Sequence, residues 1–309
     1  MSKGYSEESI EDATQDVLEE LGWEVVNAFE ESFDGNGILG RDNKSQVVLS
    51  KFLIPALKKL NPGLQEKAYQ DAVDIIAQKE SGKSIGQINK EKYELLKNGV
   101  QVSYTNNKGE RQKKRLKVFD FNSPKENHFI AVRQLRVIGE LSENRPDVVG
   151  FVNGIPLVFM ELKRQDKGLF NAYTENLRDY KDEIPHLFHH NAFVILSNGI
   201  EAKVGTITSS FKYFLDWKRI EEGEEGVVAL DTMLRGTCDP ARLMDIFENF
   251  LLFDNTHGEV AKLMAKNHQY IGVNKVLENV KNIEELKGKL GVFWHTQGSG
   301  KSYSMVFLC

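Results

Sequence analysis

Asp147, Glu161 and Lys163 are the residues of this chain whose types and spacing could do chemistry together. Paired carboxylates offer oxygen ligands to a hard divalent ion such as Mg²⁺. A bound Mg²⁺ polarises a phosphoryl oxygen and lowers the pKa of its water. A lysine beside it orients the attacking water or offsets charge in the transition state. The set points to phosphodiester hydrolysis, with Asp147 and Glu161 as metal ligands and Lys163 as the third catalytic residue. Taken singly, the same residues are an exposed Asp and a surface Glu-x-Lys pair on an ordinary strand.

Two strand-like runs must position them. Asp147–Val152 and Pro156–Lys163 flank Asn153-Gly154, a strong hairpin signal. A two-residue turn pairs Val152 with Ile155 and sets Asp147 opposite Met160, pointing away from Glu161. A three-residue loop, Val152-Asn153-Gly154, with Gly154 left-handed, pairs Phe151 with Ile155 and sets Asp147 opposite Phe159. Asp147, Glu161 and Lys163 then share one face, with Asp147 on the diagonal to Glu161, roughly 7–8 Å away. Val148, Val152, Val158, Met160 and Leu162 form the opposite, core-facing side. The bulged hairpin is the expected form.

Pro146-Asp147 followed by Glu161-Leu162-Lys163 resembles the PD-(D/E)xK nuclease motif. The wider phrase from Arg145 to Lys163 resembles the nuclease domain of the restriction (R) subunit of type I restriction–modification enzymes. The resemblance extends over nearly the whole chain and is most specific at 145–163 and 294–302. It implies a metal-dependent endonuclease that cuts double-stranded DNA after ATP-driven translocation. Its cofactors are Mg²⁺ at the nuclease site and ATP with Mg²⁺ in the full-length protein. Methyltransferase and specificity subunits are the implied partners. Glu11 matches a family glutamate on the first helix that faces the metal; a helix-dipole role is its other reading. On the helix after Lys163 the family has Gln-x-x-x-Tyr. Tyr180 agrees, and Asn176 departs by one methylene. Gln269 matches a glutamine that reads adenine, and a surface Gln is the alternative.

With 309 residues and 40% hydrophobic content, the chain can bury one large core or two smaller ones. A net charge of −5 excludes a uniformly basic nucleic-acid coat, so any DNA contact must be local. Two cysteines, Cys238 and Cys309, fit neither a disulfide framework nor a zinc cluster. No apolar leader core or membrane-length run is evident, and a cytoplasmic location is expected.

Along the chain, Ser9–Leu21 reads as a helix capped by Ser6 or Ser9, followed by a strand at Trp23–Ala28. Phe29–Asn43 is a loop. Val47–Leu60 and Glu66–Gln78 are helices broken by Asn61-Pro62-Gly63. Gly99–Tyr104 and Leu116–Phe121 alternate like strands around Asn106–Gly109. The basic run Arg111–Arg115 beside that turn is either a phosphate-backbone contact or a solvated edge guard. His128–Val137 is a strand. A helix covers Leu169–Lys181, and Asn191–Leu196 and Glu201–Thr206 are strands. His186, His189 and His190 match no metal template and read as loop-surface residues. Trp217–Glu225 is a linker, Ala241–Leu252 a helix, and Val260–Val280 helical throughout.

Gly291–Trp294 reads as a short buried strand leading into HTQGSGKS (295–302). A full P-loop begins with Gly where this chain has His295; Gly298, Gly300, Lys301 and Ser302 fit the pattern. Backbone N–H groups would cradle phosphates, Lys301 would meet the β/γ-phosphates and Ser302 would hold Mg²⁺. The variant resembles motif I of superfamily-two motors. The expected fold is α/β: a PD-(D/E)xK nuclease-like mixed sheet flanked by helices over 1–236, then the start of a RecA-like motor over 237–309. The chain ends seven residues after Ser302, so a fragment of a longer motor–nuclease is expected, only partly organised after Asp239. Two alternatives stay open: a degenerate nuclease fold that only binds or guides DNA, and the nuclease of another ATP-dependent helicase–nuclease.

Overall fold

The computed structural model describes residues 6–105, 109–256, 258–292, 294 and 296–309. Ser6 caps helix α1 (Glu7–Glu20), its Oγ accepting the Ser9 N–H at 3.2 Å. Strand β1 (Glu24–Asn27) follows, and then the polar loop. That loop is held by a buried ion pair between Arg41 and Glu31; Arg41 Nη2 also donates to the Arg136 carbonyl at 3.0 Å. Helices α2 (Ser50–Leu60), α3 (Glu66–Ala77) and α4 (Ile85–Asn98) lead to a two-stranded ribbon, β2 (Val100–Thr105) and β3 (Arg111–Leu116).

The middle of the chain builds the sheet. Strand β4 (Phe129–Arg133) is followed by the small pair β5 (Val137–Ile138) and β6 (Glu143–Asn144), then by β7 (Val148–Val152) and β8 (Ile155–Leu162). A helical stretch comes next: α5 (Leu169–Asn171), a π-helical segment at Ala172–Leu177, and α6 (Arg178–Glu183). Strands β9 (Phe193–Ser197) and β10 (Ala202–Gly205) complete it. Among the described residues the main sheet has six strands in the order β1-β4-β7-β8-β9-β10. It is mixed: β1–β4 and β8–β9 run parallel, the other neighbours antiparallel.

Every residue of β7 and β8 is buried. Helical layers on both faces explain why these strands read as continuous apolar runs rather than alternating ones. Val148, Val152, Val158, Met160 and Leu162 join the core shared with Ile10, Leu18, Leu53 and Val73. Val149, Phe151 and Phe159 face the other core, with Ala172, Leu177 and Phe188. Each such side chain contributes roughly 1.5–3 kcal/mol by leaving water.

Several expectations needed correction. Leu116–Phe121 is not a strand beyond Leu116; the basic run Arg111–Arg115 is itself the strand. The strand expected over His128–Val137 stops at Arg133, where Gln134 turns to φ 55°. Helix α4 and helix α7 (Leu230–Thr237) were not foreseen. Helix α8 covers Pro240–Asn249, after which β11 (Leu251–Asp254) and β12 (Ala261–Met264) form a hairpin where continuous helix was expected from Val260. Helix α9 spans Asn267–Lys281 and α10 Lys301–Leu308. The segment after Asp239 is well packed as far as Val273: Leu243, Met244, Phe247 and Phe250 are buried in the same core as the sheet, and Trp23 Nε1 donates to the Cys238 carbonyl at 2.8 Å. Val292 and Trp294 are 85% and 91% exposed, not a buried strand, and no described strand lies beside them to pair with. Asn106, Asn107 and Lys108 of the expected turn lie outside the described residues, as do Phe293 and His295.

Gly154 is where this fold tolerates change least. Its φ is 79°, and an added Cβ would lie 2.4 Å from the Leu49 carbonyl oxygen. Gly154→Ala should therefore cost about 2 kcal/mol or more in urea unfolding. An unchanged midpoint would contradict the turn geometry.

Candidate active site

The site depends on the β7–β8 register. Asn153 (φ 49°) and Gly154 (φ 79°) make a two-residue turn with both residues left-handed, so Val152 pairs with Ile155. The expected three-residue loop is absent. Asn153 is pinned instead: its Nδ2 donates to the Val118 carbonyl at 2.9 Å, and its Oδ1 accepts the His128 N–H at 2.8 Å. The extra residue sits within the strand. Phe151 pairs with Pro156 but Gly150 with Val158, which leaves Leu157 as a bulge. Pro156 brings no N–H, which suits a bulge, and Gly150 lies against the Trp23 ring, where a Cβ would come within 3.1 Å. Beyond the bulge Val148 pairs with Met160, so one further step sets Asp147 across from Glu161. Both carboxylates thus reach one face, by a route different from the one expected.

Glu161 is 1% exposed. Its Oε1 accepts from Lys163 Nζ at 2.6 Å, while Oε2 is buried without a partner. Asp147 Oδ2 accepts the Leu162 N–H at 2.7 Å, which fixes its carboxylate beside the strand end. Burial raises the Asp147 carboxyl to about 7, with Glu11 and Glu7 pushing upward and the Leu162 N–H and Lys163 pulling down. Burial, then the Asp147 charge, raises Glu161 to about 8 against the pull of Lys163. Burial alone would lower Lys163, but Glu161, Asp147 and Glu7 outweigh it and hold its pKa above the ordinary lysine value.

Helix α1 closes one side. Glu11 is buried and accepts from Arg133 Nη2 at 3.2 Å and from Gln134 Nε2 at 3.2 Å. Gln134 also donates its backbone N–H to the Asp147 carbonyl at 3.0 Å, so it joins Glu11 to the site. Glu7 lies 3.6 Å from Lys163 Nζ. Neither Gln134 nor Glu7 was foreseen: a left-handed Gln has no sequence signal, and Glu7 looks like an ordinary first-turn acid. On the opposite side Tyr180 meets Phe159 edge-on at 5.6 Å and donates to the Arg145 carbonyl at 3.4 Å. Its phenol pKa is raised by burial and by the charges of Glu161 and Asp147, and Asn176 hydrogen-bonds to it. Asn176 sits in the π-helical segment, an interruption of regular helix often found at functional sites.

The donor set suits a hard cation. Two carboxylates share a face, and one buried oxygen, Glu161 Oε2, lacks the partner that a buried charge requires. Among the described residues no group of three or more His, Cys, Asp or Glu could form a full metal cage. Mg²⁺ typically takes one or two carboxylates plus water and substrate oxygens.

The histidines differ from expectation. His186, His189 and His190 are buried, at 8%, 5% and 4% exposure, not on a loop surface. They sit in and just after a short 3₁₀ turn packed against α4, whose Asn89 Nδ2 donates to the carbonyls of Phe188, His189 and Asn191. Burial, with Lys79 and Lys92 nearby, lowers their pKa values to about 4, 4 and 3.

The P-loop residues form a second, separate group. Gly298 and Gly300 take φ of 80° and 90°, and α10 starts at Lys301 and Ser302. Gln269 is buried: its Oε1 accepts the Lys266 N–H at 2.8 Å and its Nε2 donates to the Gly300 carbonyl at 2.9 Å. It braces the loop from the first turn of α9.

Both acidic pKa values lie above their unfolded values, so the folded state binds protons more tightly. The stability this pair contributes is present below about pH 4 and is lost as pH rises through 7 to 8. In metal-free buffer, Asp147→Asn should be more stable than wild type by about 1–3 kcal/mol at pH 8.5, with the gap closing toward pH 5. Equal stability at pH 8.5 would contradict a buried, repelling pair.

Residues 4–213 match the family model described as type I restriction enzyme R protein N terminus. Residues 268–309 match a SWI2/SNF2 ATPase model. The type I restriction enzyme HindI endonuclease subunit of Haemophilus influenzae is 37% identical over 98% of this chain and 29% of its own length. A Methanocaldococcus jannaschii relative, the MjaIXP endonuclease subunit, is 27% identical over 96% of this chain and 30% of its own. The SauCOLORF180P endonuclease subunit of Staphylococcus aureus is 24% identical over 96% of this chain and 29% of its own. The chain spans less than a third of the length of these curated relatives. It belongs to the type I restriction enzyme R protein N-terminus family.

Proposed function

We propose that this chain is the endonuclease part of a type I restriction enzyme R subunit, cutting phosphodiester bonds of double-stranded DNA with a divalent metal. The observation that carries the proposal is the buried Asp147–Glu161 pair, with its orphaned oxygen and adjacent Lys163. Asp147 and Glu161 would hold Mg²⁺, which when bound polarises a phosphoryl oxygen and lowers the pKa of a water. The Leu162 N–H orients Asp147 toward that role. Lys163, held between Glu161 and Glu7, offsets negative charge growing on the phosphate or orients the attacking water. Glu11 is kept at the site's edge by Arg133 and Gln134. Asn176 and Tyr180 line the opposite wall, where the substrate would lie.

On this reading the six-stranded sheet is a PD-(D/E)xK nuclease core, assigned to 1–236, and 237–309 begins a RecA-like translocase. Gly298, Gly300, Lys301 and Ser302 would take the phosphates of ATP at the start of α10, and Gln269 the adenine. For the phosphate role the support is the paired left-handed glycines and the helix that follows them. Methyltransferase and specificity subunits would complete the complex on DNA. Both cysteines are free, and among the described residues no helix is long and apolar enough to cross a membrane. We place the complex in the cytoplasm.

In the intact enzyme, Asp147→Ala or Glu161→Ala should abolish cleavage. Lys163→Ala should slow it by about 10²–10³-fold. ATP hydrolysis should survive in all three. Loss of ATP hydrolysis in a well-folded Asp147→Ala enzyme would contradict the division into two modules, and full cleavage by Asp147→Ala would contradict the site.

A further inference from the structure

The β2–β3 ribbon is the part of the fold that the proposed chemistry leaves unused. Its register pairs Gln101 with Arg115, Ser103 with Lys113 and Thr105 with Arg111. Directly opposed residues share a face. One face is therefore wholly polar, and its three cations are all exposed. The other face holds Val100, Val102 and Leu116, buried in the core with α3. Residues 99–117 carry six cationic side chains and one carboxylate, Glu110, in a chain whose net charge is −5.

Among the described residues no ion pair joins Arg111, Lys113 or Arg115 to a carboxylate, and Arg115 Nη1 makes only a long 3.4 Å bond to the Gly99 carbonyl. Alternate strand residues are roughly 6.6–6.8 Å apart. That equals two base-pair steps of about 3.4 Å measured along the axis of duplex DNA. A two-stranded ribbon also fits the roughly 12 Å major groove.

The ribbon is rooted away from the carboxylates. Just after β3, the Lys117 and Val118 carbonyls accept from Asn61 Nδ2 at 2.8 Å and Asn153 Nδ2 at 2.9 Å, beside the β7–β8 turn. The six steps of β8 from Ile155 to Glu161 put roughly 20 Å between that turn and the Glu161 end. We propose that the polar face of the ribbon is a second duplex-DNA contact, gripping the phosphate backbone several base pairs from the bond to be cut. It supplies affinity and alignment, not chemistry. The proposal rests on the reading of duplex DNA as the substrate.

The test is anisotropy of a labelled 30-base-pair duplex with the 309-residue chain, without divalent metal, across 50–200 mM KCl. The ribbon variant is Arg111→Gln/Lys113→Gln/Arg115→Gln. The control, Lys67→Gln/Lys212→Gln/Lys281→Gln, removes equal charge from other exposed positions. The ribbon variant should bind at least about tenfold more weakly, and its log Kd against log salt slope should fall by about 2–3. The control should stay within about twofold of wild type, and thermal melts of both variants should match it. Wild-type affinity and slope in the ribbon variant would overturn the proposal. So would equal losses in the two variants, or no duplex binding by wild type at 50 mM KCl. Ribbon-dependent binding by a chain whose intact enzyme cleaves no DNA would leave this proposal standing and sink the nuclease reading.

Discussion

Two like charges held side by side out of water are the constraint on which this structure turns. The Asp147 charge raises the proton affinity of Glu161, and burial raises that of both carboxyls, an arrangement that relaxes unless rigid elements impose it. Here the imposing element is the central hairpin. Its turn is locked by Asn153 and Gly154, its register is stepped at Leu157, and both of its faces lie in the core. Without the bulge, the two-residue turn would point Asp147 to the face opposite Glu161, because strand side chains alternate with a period of two.

The surroundings answer the same electrostatic problem in layers. Lys163 neutralises part of the charge at 2.6 Å from Glu161, and Leu162 gives a backbone N–H to Asp147. Glu11, by contrast, is a further acid near the site and is tied back by Arg133 and Gln134. One oxygen, Glu161 Oε2, remains unanswered by the chain. A cation at that oxygen would both satisfy it and relieve the repulsion. On the proposed reading, the repulsion within the pair would be the other side of an affinity for metal.

What could be read from the sequence follows from how local each signal was. The apolar runs around Asn153-Gly154 marked the hairpin, and parity alone assigned Val148, Val152, Val158, Met160 and Leu162 to the core face. The location of the extra residue was not legible. A bulge within a strand leaves only Gly150 and Pro156 as traces, and Gly150 owes its place to the distant Trp23 ring. Helix α4 was missed because its buried stripe includes Asn89 and Lys92. Lys92 donates to the Ile75 and Ile76 carbonyls at the end of α3, a partner that no periodicity reveals. The helix expected from Val260 failed for a similar reason. Lys262 is buried against Asn89 and the Asn191 carbonyl, in a strand paired with β11.

Metal binding by the two carboxylates together is the property from which the site's proposed chemistry follows. Calorimetric titration of Mn²⁺ into wild type, Asp147→Ala and Glu161→Ala at pH 7.5 measures it. The prediction is a binding site in wild type, with proton release as the raised carboxyls ionise, that is lost in each single variant. Undiminished binding in either variant would mean that the two carboxylates do not share an ion, and would contradict the account.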